Sequence, residues 1–309
     1  MLCLGIDTSN YTSSAAVFDS ESGKIIQSRR LLPVKEGELG LRQSDAVFQH
    51  VLILPEMIKN VFGEISGRIE RIGVSVTPRD EEGSYMPCFY TGKAVADSIA
   101  AVTGAEIRYF SHQAGHIAAA VYSSGKTELF ENEFVAFHVS GGTTEAVKVT
   151  PCKDKIFDIE ILSHSLDLKA GQAIDRVGNL LGLPFPAGRY LDELSLKSDK
   201  EYKIKPYMKD GCCSLSGLQN KCEKMHKDGE KNEDIAKYCI SFIRSALSEM
   251  TASLCEKHPG LPLLYSGGVM SNTLIRKYFT EKFGAVFAAE GYSSDNAAGI
   301  AVLASLDRL

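Results

Sequence analysis

No stretch of this chain comes near the roughly 20 consecutive apolar residues that a membrane-spanning helix needs, so its 309 residues are expected to work off the membrane. The opening, MLCLGIDTSN, has no basic flank ahead of an apolar core, and no secretory leader is expected. None of the eight cysteines falls in a Cys-x-x-Cys pair. A chain of this size needs no disulfide staples, so reduced thiols and a cytoplasmic location are expected. Neither sign of charge dominates. A net charge of -5 excludes a protein whose whole surface grips nucleic acid and leaves room only for a local basic strip. Two nucleotide fingerprints are missing as well: neither Gly-x-Gly-x-x-Gly nor Gly-x-x-x-x-Gly-Lys-Ser/Thr occurs.

What is present reads as a soluble α/β protein, with 44% hydrophobic and 24% charged residues. The length suits two lobes of roughly 100–200 residues each. The first 31 residues form an expected strand meander, with hydroxyls and amides crowded into the turn after Asp7-Thr8-Ser9. Residues 44–62 have helical spacing, 69–78 read as a buried strand, and 91–104 as an amphipathic helix ending at Gly104. The plan then starts again. FVAFHVSGGTTEAVKVTP repeats strand, glycine turn, strand, and LPLLYSGGVMSNTLIRKYF adds strand, Gly-Gly turn, helix. Two similar lobes around a cleft are therefore expected. The N-terminal lobe would take residues 1–108 plus the returning segment 294–309. The C-terminal lobe would take 109–293, with a polar, lysine-rich insertion at about 196–235 that holds at least one helix.

His112 and His116 in FSHQAGHIAAA lie four apart, on one helical face, close enough to share an ion. Imidazole suits zinc, iron and nickel. The alternative is two hydrogen-bonded histidines at a lobe junction. A shared ion needs a further ligand, for which Asp295 and His138 are the candidates; Asp295 is expected at a helix N-terminus. Three hydroxyl or glycine turns, at residues 7–14, 140–144 and 266–272, follow apolar strands. Glycine lets backbone N–H groups approach a phosphate, and turns of this kind on equivalent strands suit two lobes closing on a nucleotide. Asp175, expected at a helix entry, is placed to bond a ribose hydroxyl, and Gly188 allows close backbone approach. The lysines of 197–231, with Tyr202 and Tyr207, form either a solvated face or a strip that touches RNA backbone.

In motif order, LGIDTS, HQAGH, VSGGTTE, AGQAIDRVGNLLGLPFPAG, SLSGL, SGGVMSN and SDNAAGIA resemble the TsaD-like family, which makes threonylcarbamoyl-adenosine in tRNA. The resemblance runs from residue 2 to about 303. It implies the two-lobed actin/sugar-kinase/Hsp70-like fold and metal-dependent transfer of a threonylcarbamoyl group from threonylcarbamoyl-AMP to adenosine in tRNA. It implies one divalent ion, iron or zinc, on His112, His116 and Asp295, with His138 a further ligand. It implies an adenylate or ATP-type nucleotide against Asp7, Thr8, Ser9, Asp175, Gly188, Gly267, Gly268 and Asn272, and an acyl-phosphate facing Ser140, Gly141 and Gly142. A smaller paralogous subunit and an ATPase are the protein partners it implies. The chain departs from the family pattern at Tyr11 and Thr12, where an acidic pair is usual, and at Ala114, Thr143 and Gln172. These departures mark a diverged paralogue. They keep two alternatives open: carbamoyl transfer to another acceptor, or a non-catalytic nucleotide-binding scaffold. A sugar kinase is a weaker option, because magnesium-dependent phosphoryl transfer prefers oxygen ligands and has no use for the histidine pair.

Overall fold

The computed structural model describes every residue except 35–40, 154, 293–295 and 308–309. The chain forms two compact units. Unit 1 is Met1–Glu131, Pro151–Asp158 and Gly291–Leu309; unit 2 is Asn132–Thr150 and Ile159–Glu290. The sequence reading drew the boundary at 108/109, yet β5 (Glu106–Ser111) runs directly into helix α3 (His112–Ser123), and the first unit continues to Glu131.

Unit 1 is built on strands β1 (Leu2–Ser9), β2 (Thr12–Asp19), β3 (Lys24–Leu31), β4 (Ile69–Thr77) and β5, in the order β3-β2-β1-β4-β5. The first three form the expected antiparallel meander; β4 and β5 join in parallel. Helices α1 (Gln43–Phe62) and α2 (Phe89–Thr103) bury Leu54, Met57, Val61 and Ala96 against Leu4, Ile6, Ile72 and Val74 of the sheet. Successive strand side chains point to opposite faces, so Gly5, Asp7, Gly73 and Ser75 look the other way. There lies α9 (Ala297–Ser305), buried along nearly its whole length. Its approach to the sheet depends on glycine: a Cβ on Gly73 would come within 2.7 Å of Ile300 O, and one on Gly5 within 2.5 Å of Ala301 N.

Unit 2 repeats the plan. Strands β6 (Phe134–Val139), β7 (Thr144–Cys152), β8 (Ile156–His164), β11 (Leu263–Ser266) and β12 (Val286–Phe287) run in the order β12-β11-β6-β7-β8. Read from the other edge, that is the arrangement of the first sheet: a meander, then two parallel strands. The duplication is thus one of topology, as the repeated strand-turn-strand pattern implied. Helices α4 (Ala170–Leu180), α5 (Gly188–Ser195), α6 (Ser216–Lys227), α7 (Asn232–Lys257) and α8 (Thr273–Phe283) enclose a core around Phe137, Ile243, Leu247, Tyr265 and Phe279. The polar stretch expected at 196–235 holds a two-residue ribbon, β9 (Met208–Lys209) with β10 (Cys212–Cys213), then α6 and the start of α7.

Candidate functional site

Each unit holds its own constellation. In unit 1, Ser111 caps α3 by accepting from Ala114 N at 3.2 Å, which starts the helix at His112. One turn on, His116 places its Nε2 3.0 Å from Nε2 of His112. Ligands about 2.1 Å from one ion lie about 3.0 Å apart at right angles and about 3.4 Å apart at a tetrahedral angle, so the two nitrogens fit a single cation. The other ring nitrogen of His112 is held from behind. Its Nδ1 is 2.9 Å from Asp7 Oδ1, and the Asn296 amide nitrogen sits 2.6 Å from Nδ1 and 3.0 Å from the same carboxylate oxygen. Ser75 donates its hydroxyl to Asp7 as well. A carboxylate behind a metal-binding imidazole fixes the tautomer and turns the outer nitrogen toward the ion.

Asp7 is 1% exposed. Burial alone would raise its pKa. The facing His112 ring, the Ser75 hydroxyl and the Asn296 amide outweigh burial and hold the carboxyl well below the usual carboxylate range. Asn296 is fixed by close packing: a Cβ on Gly115 would lie 2.8 Å from its Cγ and 2.9 Å from its Nδ2, so HQAGH needs glycine at that position. Asn296 Oδ1 is buried with no hydrogen-bond partner among the described residues. Asp295, the expected third ligand, lies outside the described residues. Among those described, no group of three or more His, Cys, Asp or Glu side chains forms a metal cluster. His138 belongs to unit 2, on β6, with Nδ1 3.1 Å from Ser266 Oγ.

The turn residues grouped from sequence as Asp7, Thr8 and Ser9 separate by strand alternation. Asp7 faces α9, whereas Thr8 faces α2, where its hydroxyl donates to Cys88 O at 2.9 Å and accepts from Gly92 N at 3.1 Å. Ser9 N donates to Asp7 Oδ2 at 3.3 Å.

Unit 2 holds a cavity of about 780 Å³. Of the residues expected there, Ser140, Gly141, Asp175, Gly188, Gly268 and Asn272 line it. Gly142 and Gly267 are not among the lining residues. Gly267 is a backbone requirement instead: it has φ +97°, and the main chain of Val139 occupies the space a Cβ would need. Gly171 abuts the Ser140-Gly141 turn so closely that its Cβ would lie 2.6 Å from Gly141 N. Asp175 stands in the middle of α4 rather than at its entry, because the helix begins five residues earlier; its Oδ1 accepts from Ala187 N at 2.9 Å. The starts of α5, the short turn Gly268–Ser271 and α8 also border the cavity, and the positive end of a helix dipole favours an anion. Asn272 caps α8 through Ile275 N at 3.1 Å and gives its amide to Asp192 at 2.8 Å. Asp192, which sequence reasoning missed, also takes Thr273 N at 3.1 Å and Thr273 Oγ1 at 2.9 Å.

Two α/β units of matching topology, one carrying an imidazole pair and the other a glycine-lined cavity, define an actin/sugar-kinase/Hsp70-type protein. Solved structures agree on the fold. HypF in its phosphate- and nucleotide-bound form matches with a TM-score of 0.59 at 12% identity, over 98% of this chain and 55% of that one. A hexokinase of the ROK group from Thermus thermophilus matches with a TM-score of 0.54 at 16% identity, over 98% of both. The chain belongs to the TsaD family, tRNA N6-adenosine threonylcarbamoyltransferase, whose model matches residues 33–302. Relatives named tRNA N6-adenosine threonylcarbamoyltransferase include one from Sulfurihydrogenibium sp., 28% identical over 90% of this chain and 82% of its own. Another, from Streptococcus thermophilus, is 27% identical over 98% of this chain and 91% of its own.

Proposed function

We propose that this protein transfers the threonylcarbamoyl group of threonylcarbamoyl-AMP to N6 of an adenosine in tRNA. The observation that carries the reading is the convergence of six motif residues from separate segments on one cavity of about 780 Å³, a size suited to a nucleotide. The adenosine part of the donor would lie against Asp175, Gly188 and Asn272, with a carboxylate oxygen of Asp175 for a ribose hydroxyl. The Ser140-Gly141 turn and the bordering helix starts would receive the acyl-phosphate through backbone N–H groups, which stabilise negative charge as it develops. In the reaction the N6 nitrogen bonds to the carbamoyl carbon, the carbon–oxygen bond to phosphate breaks, AMP leaves and the amine releases one proton.

His112 and His116 would hold a divalent ion, iron or zinc, through their Nε2 atoms, with Asp295 as a further proposed ligand. Such an ion supplies Lewis-acid polarisation of an oxygen. Asp7 and Asn296 serve by holding Nδ1 of His112, so that the ring presents its outer nitrogen. The smaller paralogous subunit and the ATPase of the bacterial family members are proposed partners.

One observation favours a second reading, transfer to a different amine. Tyr11, 47% exposed in the first turn, and Thr12, the first residue of β2, stand where the family pattern has an acidic pair, and Ala114 is buried where that pattern has glutamate. Mass spectrometry of tRNA nucleosides from a deletion strain separates the two. Loss of threonylcarbamoyl-adenosine supports the tRNA reading; an unchanged level, with no second copy of the enzyme in the strain, removes it.

A further inference from the structure

Apart from the large cavity, unit 2 carries a groove of about 370 Å³ between α7, α8 and the extended segment at 202–205. Lys203, Lys205 and Lys282 line it together with Tyr202 and Tyr278. A fourth cation, the guanidinium of Arg244, lies 4.9 Å from the Tyr278 ring centroid. In a chain of net charge -5, four cations in one place ask for an explanation. Neighbouring Lys200 shows the ordinary arrangement, paired to Asp234 at 3.0 Å and Glu230 at 3.3 Å. None of the four groove cations is ion-paired to a carboxylate among the described residues, and that includes Glu249, the carboxylate on the same lining.

The groove is also ordered. Lys282 Nζ donates to Ser248 Oγ and Tyr278 OH, each at 3.0 Å, which fixes its ammonium at the wall. Burial would raise the Tyr278 hydroxyl's pKa, but the bonds from Lys282 and Ser248 and the two nearby cations bring it below its ordinary value. Cations without ion-paired carboxylates, one of them held at the wall, suit an anionic ligand. The groove lacks the glycine turns that line the larger cavity. Instead its lysines stand along an open surface strip beside tyrosine rings, the pattern of backbone-tracking nucleic-acid surfaces.

We propose that this groove binds the sugar-phosphate backbone of RNA, and, resting on the transferase reading above, that the RNA is the tRNA acceptor held away from the reacting base. Each lysine–phosphate contact releases counter-ions and adds to the salt dependence of binding. The test compares the wild-type protein with K203A/K205A/K282A and with K203R/K205R/K282R. Binding of fluorescent unmodified tRNA and of a fluorescent single-stranded RNA oligomer is followed by anisotropy across a salt series, with circular dichroism of each variant. K203E/K205E, confined to two exposed side chains, serves if the triple alanine variant fails to fold.

Loss of the three lysines is expected to weaken RNA binding by about tenfold or more at low salt and to flatten the log K against log salt slope by about 2. The arginine variant is expected to keep both. Unaltered affinity and slope in folded alanine and glutamate variants would overturn the proposal, as would a wild-type protein that binds neither probe. The two readings fail separately. A wild-type protein that modifies tRNA while the groove variants bind normally loses only the groove; one that leaves tRNA unmodified but binds the oligomer through these lysines loses only the transferase reading.

Discussion

Replacing Gly299 with alanine tests whether close helix packing positions the histidine site. The new Cβ would lie 2.7 Å from Ala119 N and 2.8 Å from Gly115 C, and closer still to the Gly115 carbonyl oxygen. Ordinary contact begins at 3.4 Å, so α3 and α9 must part by at least 0.7 Å. Two effects oppose each other. Alanine is the better helix former by about 0.5–1 kcal/mol. Overpacking costs about 1–3 kcal/mol, and here the obstruction is the backbone of α3, which cannot rotate aside as a flexible side chain would. Steric cost wins, and a net loss of about 2 kcal/mol is expected. For a domain of this size that lowers Tm by about 4–8 °C in scanning calorimetry. Gly141→Ala is the control, since its Cβ meets nothing within 4 Å, and its stability should stay within about 0.5 kcal/mol of wild type. Because α9 begins directly after Asn296, the same variant should also bind a divalent ion more weakly in a competitive chelator titration. A Gly299→Ala protein as stable as wild type would refute the reasoning: the two helices would then separate at no cost, and their contact would not be what holds Asn296 against His112.

Asp7→Asn keeps the size of the side chain but removes the charge behind His112, and divalent-ion affinity should fall about 10–100-fold in the same titration; unaltered affinity would show that Asp7 does not orient the ring. Asp192→Ala removes the acceptor of Asn272 and Thr273, so nucleotide affinity measured by calorimetric titration should fall while Tm moves little. His50 is fully buried, its Nδ1 2.6 Å from Ser13 Oγ, and burial pushes its pKa below the ordinary value. The unfolded chain therefore binds the extra proton first: stability holds above the unfolded pKa of about 6.5 and falls as pH drops below it, and urea midpoints should show a smaller acid loss in His50→Gln than in wild type. The thiols of Cys213 and Cys222, pushed up to about 12 by burial, should resist iodoacetamide at neutral pH in the folded protein and react on denaturation, as read by mass spectrometry.

The duplicated fold was legible because strand alternation and the glycine turns are local signals, and both recur in the two halves. The histidine pair was legible for the same reason, since an i,i+4 spacing carries its own geometry. Asn296 and Asp192 were not. The amide of Asn296 meets a carboxylate 289 residues earlier, and Asp192 receives an amide 80 residues later. No periodicity connects such partners; only the packing of α9 on β1, and of α5 beside α8, brings them together. Asp175 lines the cavity of unit 2, but it was expected at a helix entry and stands five residues into α4, which opens at Ala170. The Asp7-Thr8-Ser9 turn was read as one ligand set although a period of two already sends Asp7 and Thr8 to opposite faces.

That separation bears on how the protein diverged. The Asp7 face needs glycine at positions 5, 73, 115 and 299, since each packs against a neighbouring main chain or, at 115, against Asn296. Ala114, beside Gly115, is 1% exposed, and a glutamate there would have to bury a carboxylate. The Tyr11 turn, 47% exposed at that residue, carries no such restriction. Substitutions can therefore accumulate on the turn without disturbing the imidazole pair: Tyr11 is 47% exposed, whereas Asp7 behind His112 is 1% exposed.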